Sequence, residues 1–362
     1  AREGGNAAGR GLPLQTHKWG AGDFDSEDGG LPTSGPAVVD WSFGDVDAGF
    51  DKATMILDET FVTASNPHHS MEPRSAMCYW ENGKCFVHGS CQSQSFALPG
   101  LAGLLGVEPS DVVFIAEYCG GGFGSKGGAY AIMALPAYMS KKIGRPVMHR
   151  VSREQEYYWG SSRAGFQGRI RMGFGADGRL VAVDLYIVQQ NGPKTGFPDY
   201  SAAADAVTLV YQPESMRFRG IPVLSNTTPS GAQRGPGQNQ IAMVIEPLLD
   251  QAARALEVDR LDIRRVNAPS MDGSYSDEQG PLTSSYLREA YEIGAREFDW
   301  AGKQAMSGQR NGSKVIGVGA GQAFHSGGSS GFDGLVRITP DGTVHIHSGV
   351  GNLGTYSYAG TS

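Results

Sequence analysis

The residues best suited to chemistry gather around one stretch, "CGGGFGSKGG" from Cys119 to Gly128, which follows the apolar run Val112 to Ile115. A glycine run of this kind cradles a phosphate, makes a strand-to-helix turn, or lets bare backbone approach something closely. A phosphate loop needs Gly before its Lys and a hydroxyl after it, whereas Ser125 precedes Lys126 and Gly127 follows it, so both key positions fail. A dinucleotide fingerprint would need an acidic residue at the end of a following strand, and none is placed there. A plain glycine turn and a close approach to a ligand both stay open on these residues alone. Gln92, in "CQSQSF", offers an uncharged amide donor, and Arg234, in "GAQRGPGQ", offers a fixed cation; taken singly, Gln92 reads equally well as an ordinary loop residue, and a lone loop Arg is usually just solvated.

Other candidates are weaker. His68 and His69 are adjacent and point in different directions, and His345 and His347 share a strand face but lack a third ligand, so no side-chain metal site is expected. Glu72, in "MEP", reads as a structural hydrogen-bond partner rather than an acid or base, and Trp300 and the Leu/Ile stripes read as core. The 4 cysteines, Cys78, Cys85, Cys91 and Cys119, have no C-x-x-C spacing, which argues against a zinc knuckle or an iron–sulfur cluster on this chain and fits a reducing compartment.

These residues need a scaffold to position them. At 362 residues, with 40% hydrophobic and 19% charged residues, the chain has the composition of two or three soluble globular domains. A net charge of −7 with no Lys/Arg cluster gives nucleic acid no electrostatic footing. No run approaches the roughly 18 apolar residues of a membrane span. The start of the chain lacks Met and a signal pattern, which leaves open a signal already removed. Turn signals recur between strand-like runs: "ENG" at Glu81–Gly83, "ADG" at Ala176–Gly178 and "PDG" at Pro340–Gly342. Ile241, Val244, Ile245, Leu248, Leu249, Ala252, Ala253 and Leu256 keep the three-and-four spacing of a helix with one buried face. A second helix is expected over about Ser285–Trp300, capped by Thr283 or Ser284. Strands and helices without regular βαβ alternation predict an α+β fold with mixed sheets.

The motifs gain meaning from their order. "GDVDAGFDKA", "HHSMEP", "CQSQSF", "LAGLLGVEPSDVVF", "GGGFGSKG", "ALPAYMSKKIGRPVMHRVSREQE", "GAQRGPGQNQ" and "EPLLDQAARAL" form a series that resembles the large molybdopterin-binding subunit of the xanthine dehydrogenase and aldehyde oxidase family of molybdenum hydroxylases. The resemblance spans roughly residues 40–360 and implies a Gly-rich polar lead-in at 1–40, a first cofactor-binding domain at 41–268, a linker and connecting helix at 269–313, and the incomplete start of a second cofactor-binding domain at 314–362. It implies that Gly121, Gly122, Phe123 and Gly124 lie against the cofactor, that Gln92 hydrogen-bonds an oxygen ligand of the metal, and that Arg234 and Gly235 form a loop beside it, with the positive end of a helix starting near Asn239. Gly354 and Thr355 correspond to a further cofactor loop. The implied activity is hydroxylation of an aldehyde or (hetero)aromatic carbon with oxygen from water. The implied cofactor is molybdenum with molybdopterin, in the cytosine dinucleotide form for a bacterial source. Partners would be iron–sulfur (2Fe-2S) and FAD subunits, with a second chain to complete the molybdopterin domains, and the location would be the cytoplasm, with the periplasm left open.

The departures narrow the reading. Purine-oxidising members carry Glu where Gly127 stands, and the purine-clamping Arg has no counterpart in "DYSAAADAVTLVYQPESM"; xanthine is therefore not the expected substrate. The copper-binding Cys of carbon monoxide enzymes is absent from "TTPSGAQRGPG". In "GVGNLGTYSYAG", Thr355 replaces the family's Gln, and the family's general-base glutamate falls beyond Ser362. An alternative expectation is accordingly a non-catalytic scaffold half of such a complex.

Overall fold

The computed structural model describes residues 37–194, 196–325, 334–348 and 353–355. The expected lead-in, up to residue 36, lies outside them, as does most of the "GVGNLGTYSYAG" loop. Mixed sheets and interspersed helices bear out the α+β reading. The described chain forms two compact units built from separated stretches, a larger one from residues 37–65, 164–225 and 235–325, and a smaller one from residues 66–163, 226–234 and the residues from 334 onward.

The larger unit is built on a five-stranded sheet in the order Val39–Phe43, Met216–Val223, Leu180–Gln190, Phe166–Phe174, Met55–Thr63. The "ADG" turn joins Phe166–Phe174 to Leu180–Gln190 as antiparallel neighbours, while Leu180–Gln190 and Met216–Val223 run parallel. The central strand is buried on both faces, so it reads as a near-continuous apolar run without alternation. Its one acidic residue, Asp184, is paired with Arg217 at 2.6 Å and Arg219 at 3.1 Å. The expected helix is Gln238–Ala255, and Ile241, Ile245, Leu249 and Ala252 pack with Ala203 and Val207 of helix Asp199–Tyr211 in one core.

Two expectations fail in this unit. The later helix spans Leu287–Phe298 and starts at Tyr286 without a side-chain cap; neither Thr283 nor Ser284 caps it. The residue ahead of it is tied back elsewhere, since the Ser285 hydroxyl donates to Pro269 O at 3.2 Å. Trp300 is only partly buried and is not core: its indole N–H donates to both oxygens of Asp259 at 3.1 Å, and this polar demand keeps it at the surface.

The smaller unit carries a four-stranded sheet in the order Val112–Ile115, Lys84–Gly89, Ser75–Glu81, Val147–Arg150. Helices Gln94–Leu105 and Ala131–Ile143 cover it, with Leu101, Ala137 and Met133 packed against Cys78, Cys85 and Val87. Ser93 caps the first helix by accepting from Phe96 N, and Gly106, at φ +66°, closes it in a left-handed conformation. The glycine run leaves the end of Val112–Ile115 and leads into helix Ala131–Ile143, as a strand-to-helix connection should. Among the described residues no helix is long and apolar enough to cross a membrane.

Candidate functional site

Gly121 (φ +96°), Phe123 (+55°) and Gly124 (+111°) occupy positive-φ conformations, and Gly122 between them does not. Among the described residues the N–H groups of Gly122 and Phe123 meet no acceptor.

The need for glycine here comes first from the protein itself. A Cβ on Gly120 would sit 2.5 Å from Glu72 Cβ, one on Gly122 2.3 Å from Gln92 Cγ and Oε1, and one on Gly124 2.1 Å from Ala232 O. The loop is thus pressed between the segment of Glu72, the side chain of Gln92 and the segment leading to Arg234.

Gln92 is held in one orientation. Its Oε1 accepts the N–H of Gly124 at 2.8 Å and of Lys126 at 3.0 Å, and its own N–H donates to Lys126 O at 2.9 Å. Backbone N–H groups only donate, so the carbonyl end of the amide must face them and Nε2 must face away. Nε2 donates to no described residue. Arg234 joins the same arrangement through its backbone: its N–H donates to Phe123 O at 2.9 Å, and its carbonyl accepts from Arg163 at 2.7 Å. The structure therefore brings Gln92, Gly121 to Gly124 and the Arg234 backbone together in the smaller unit.

The remaining expected residues are placed differently. Gly235 opens the larger unit at φ +70°, with Asn239 Oδ1 2.7 Å from where a Cβ would lie. Helix Gln238–Ala255 begins in that unit, with Gly237 at its N-cap. Gly354 and Thr355 are exposed, and a Cβ on Gly354 would meet no described residue within 4 Å.

Several supporting residues gave no functional signal in the sequence. Arg74 and Glu156, 4% and 7% exposed, form a buried ion pair. The same guanidinium donates to the Ser125 carbonyl and, at 2.7 Å, to Ser125 Oγ, which fixes the loop from below. The partners lie 82 residues apart, so no spacing rule could have matched them. Glu72 is the structural hydrogen-bond partner expected, accepting from Ser90 Oγ and Gly120 N–H at 2.7 Å each. Burial pushes its carboxyl pKa up, but those two hydrogen bonds and the Lys126 ammonium outweigh burial and hold it below the usual carboxylate range.

His68 bridges two carbonyls, with Nδ1 2.5 Å from Ser161 O and Nε2 2.8 Å from Ala232 O. A neutral ring has one N–H and satisfies only one of them. Burial nevertheless lowers its pKa below 6.5, the two carbonyls pull it back, and Arg74 and Arg163 add to the lowering. The unfolded chain then binds a proton that the folded chain refuses, so stability falls as pH drops from about 6.5 toward the folded pKa, by at most about 1.4 kcal/mol per pH unit. Urea midpoints measured from pH 7.5 to 5.5 should show a flatter slope for His68→Gln than for the parent; equal slopes would refute this linkage.

The profile of the molybdopterin cofactor-binding domain matches residues 32–268. The chain is 28% identical over 321 residues to the aldehyde oxidoreductase molybdenum-binding subunit PaoC of Escherichia coli O157:H7, covering 88% of this chain and 43% of that protein. It is 32% identical over 234 residues to the nicotinate dehydrogenase large molybdopterin subunit of Eubacterium barkeri, covering 62% of this chain and 54% of that one. The fold superposes on the aldehyde oxidoreductase of Desulfovibrio gigas with a TM-score of 0.72 at 24% identity, covering 88% of this chain and 35% of that one. The chain belongs to the molybdopterin cofactor-binding domain family. It spans less than half the length of PaoC.

The residues present fit that cofactor. The cradle in which a Cβ would collide, the N–H groups of Gly122 and Phe123, and Gln92 Nε2 together offer neutral donors to a group carrying phosphate and metal-bound oxygens, and the nearby cations Lys126 and Arg74 already have acidic partners.

Proposed function

We propose that this chain is the molybdenum-cofactor-binding part of an oxidoreductase that hydroxylates an aldehyde or (hetero)aromatic carbon with oxygen from water. The observation that carries this reading is the locked Gln92 amide, whose Oε1 is taken by the Gly124 and Lys126 N–H groups and whose Nε2 is left to donate. When bound, the cofactor supplies the two-electron oxidation. The chain's part is to bind and orient: the amides of Gly122 and Phe123 and the Gln92 Nε2 donate to anionic oxygens, in a cradle whose shape needs no reorganisation. Gly127, standing where purine oxidisers carry Glu, favours aldehydes and ring compounds other than purines. The cytosine dinucleotide form of the pterin, iron–sulfur and FAD partner subunits, a further polypeptide region supplying the general base, and a cytoplasmic location belong to the same proposal; the naming of PaoC as a molybdenum-binding subunit supports the existence of partner subunits.

The test is Gln92→Ala in the assembled enzyme. Turnover of an aldehyde is expected to fall about 10²–10³-fold, the usual effect of removing one preorganised donor, with the circular dichroism spectrum unchanged. Unchanged turnover would remove Gln92 from this role. A natively purified complex holding neither pterin nor redox partners would favour the scaffold alternative.

A further inference from the structure

Lys126 is 0% exposed although it lies on a loop. Its Nζ donates to Ser90 Oγ at 2.6 Å, to Glu72 O at 2.7 Å and to Glu72 Oε2 at 3.2 Å, which uses all three ammonium protons. Glu72 also grips the other end of the loop, since Gly120 N–H donates to Oε2 at 2.7 Å and Glu72 N–H donates to Gly120 O at 3.2 Å. Ser90 closes the ring by donating to Glu72 Oε2 at 2.7 Å. A single residue, Glu72, therefore holds both the entrance and the exit of the turn from Gly120 to Lys126. The exit is the place where Gln92 is captured, through Lys126 N–H, Lys126 O and Gly124 N–H.

A buried ammonium is a poor source of stability, because desolvation offsets most of its attraction to a carboxylate and an apolar side chain of the same length would pack as well. What the ammonium supplies and a methyl group would not is direction: three fixed acceptors determine where the Lys126 backbone stands. We propose that Lys126 is a positioning residue for Gln92, and that its clamp to Glu72 and Ser90 fixes the loop amides that hold Gln92 Oε1 and turn Nε2 outward. The inference rests on the reading of Gln92 as the amide donor toward the cofactor.

Hydrogen exchange read by mass spectrometry on the full chain tests it, comparing the parent with Lys126→Met, Gln92→Ala and the double variant. The Gly124 and residue-126 amides are expected to exchange about 10–100-fold faster in Lys126→Met, as for a local opening, while strand Leu180–Gln190 keeps its protection. Gln92→Ala should have a similar effect, and the double variant should exchange no faster than Lys126→Met, because both changes break one unit. In the assembled enzyme the same non-additivity is expected in kcat. Parental protection of those two amides in a folded Lys126→Met protein, or effects that simply multiply in the double variant, would overturn the proposal. Should Lys126→Met fail to fold, Glu72→Gln, which keeps the acceptor of Gly120 N–H and removes the charge, must show the same exchange pattern to a smaller degree, and unchanged exchange there would overturn the proposal equally. The two readings are separable: if Gln92→Ala leaves turnover intact, Gln92's role in catalysis is lost, whereas the exchange data still judge Lys126.

Discussion

Gly124→Ala is expected to leave the purified protein with little or no pterin and molybdenum. The new Cβ would lie 2.1 Å from Ala232 O and 2.9 Å from the carbon of that carbonyl, on a residue with φ of +111°. The backbone conformation alone costs a non-glycine residue about 1–3 kcal/mol, and the overlap with main chain has no flexible side-chain end that could yield. Relief requires the loop and the segment ending at Arg234 to separate. That movement breaks the Gly124 N–H bond to Gln92 Oε1 and the Arg234 N–H bond to Phe123 O together. Since each 1.4 kcal/mol is a factor of ten in affinity, cofactor retention should fall at least about tenfold. Metal analysis and pterin fluorescence after denaturation measure it. Gly128→Ala is the control, because a Cβ there meets nothing within 4 Å, and its cofactor content should match the parent. Full cofactor content in Gly124→Ala would show that the contact with Ala232 is dispensable.

The largest loss of stability is expected from Arg74→Met. This change leaves Glu156 buried without its cation and removes the donors from the Ser125 carbonyl and hydroxyl. Among the described residues Glu156 would keep only the Arg74 backbone N–H, at 2.8 Å, as a donor to its carboxylate. Breaking one side of a buried pair typically costs about 3–5 kcal/mol, enough to take up a large part of a domain's total stability. The double variant Arg74→Met with Glu156→Gln should recover part of the loss, because no unpaired charge then remains. Urea denaturation of the three proteins decides the matter: a single variant within about 1 kcal/mol of the parent would mean that water or a neighbouring group takes over the carboxylate.

Much of the local structure was legible because it is governed by local rules. "ENG", "ADG" and "PDG" each place a glycine at positive φ between antiparallel strands, at Gly83, Gly178 and Gly342, and the apolar spacing from Ile241 to Ala253 marks the buried face of one helix. The expected cap at Thr283 or Ser284 fails because the helix starts later, at Tyr286, and the expected core position of Trp300 was a local inference overruled by a partner far along the chain, Asp259.

What the sequence by itself determined was the class of fold, the turns, the main helix and the family, since an ordered series of motifs survives without coordinates. Tertiary structure alone decided why the loop is glycine and which way Gln92 points. The atoms that forbid a Cβ at Gly122 and Gly124 belong to Gln92 and Ala232, distant in sequence, and the carboxylates that neutralise Lys126 and Arg74 lie 54 and 82 residues away. Contacts of that range have no period and no spacing; they exist only once the chain has folded and buried charge has found the partner that its desolvation demands.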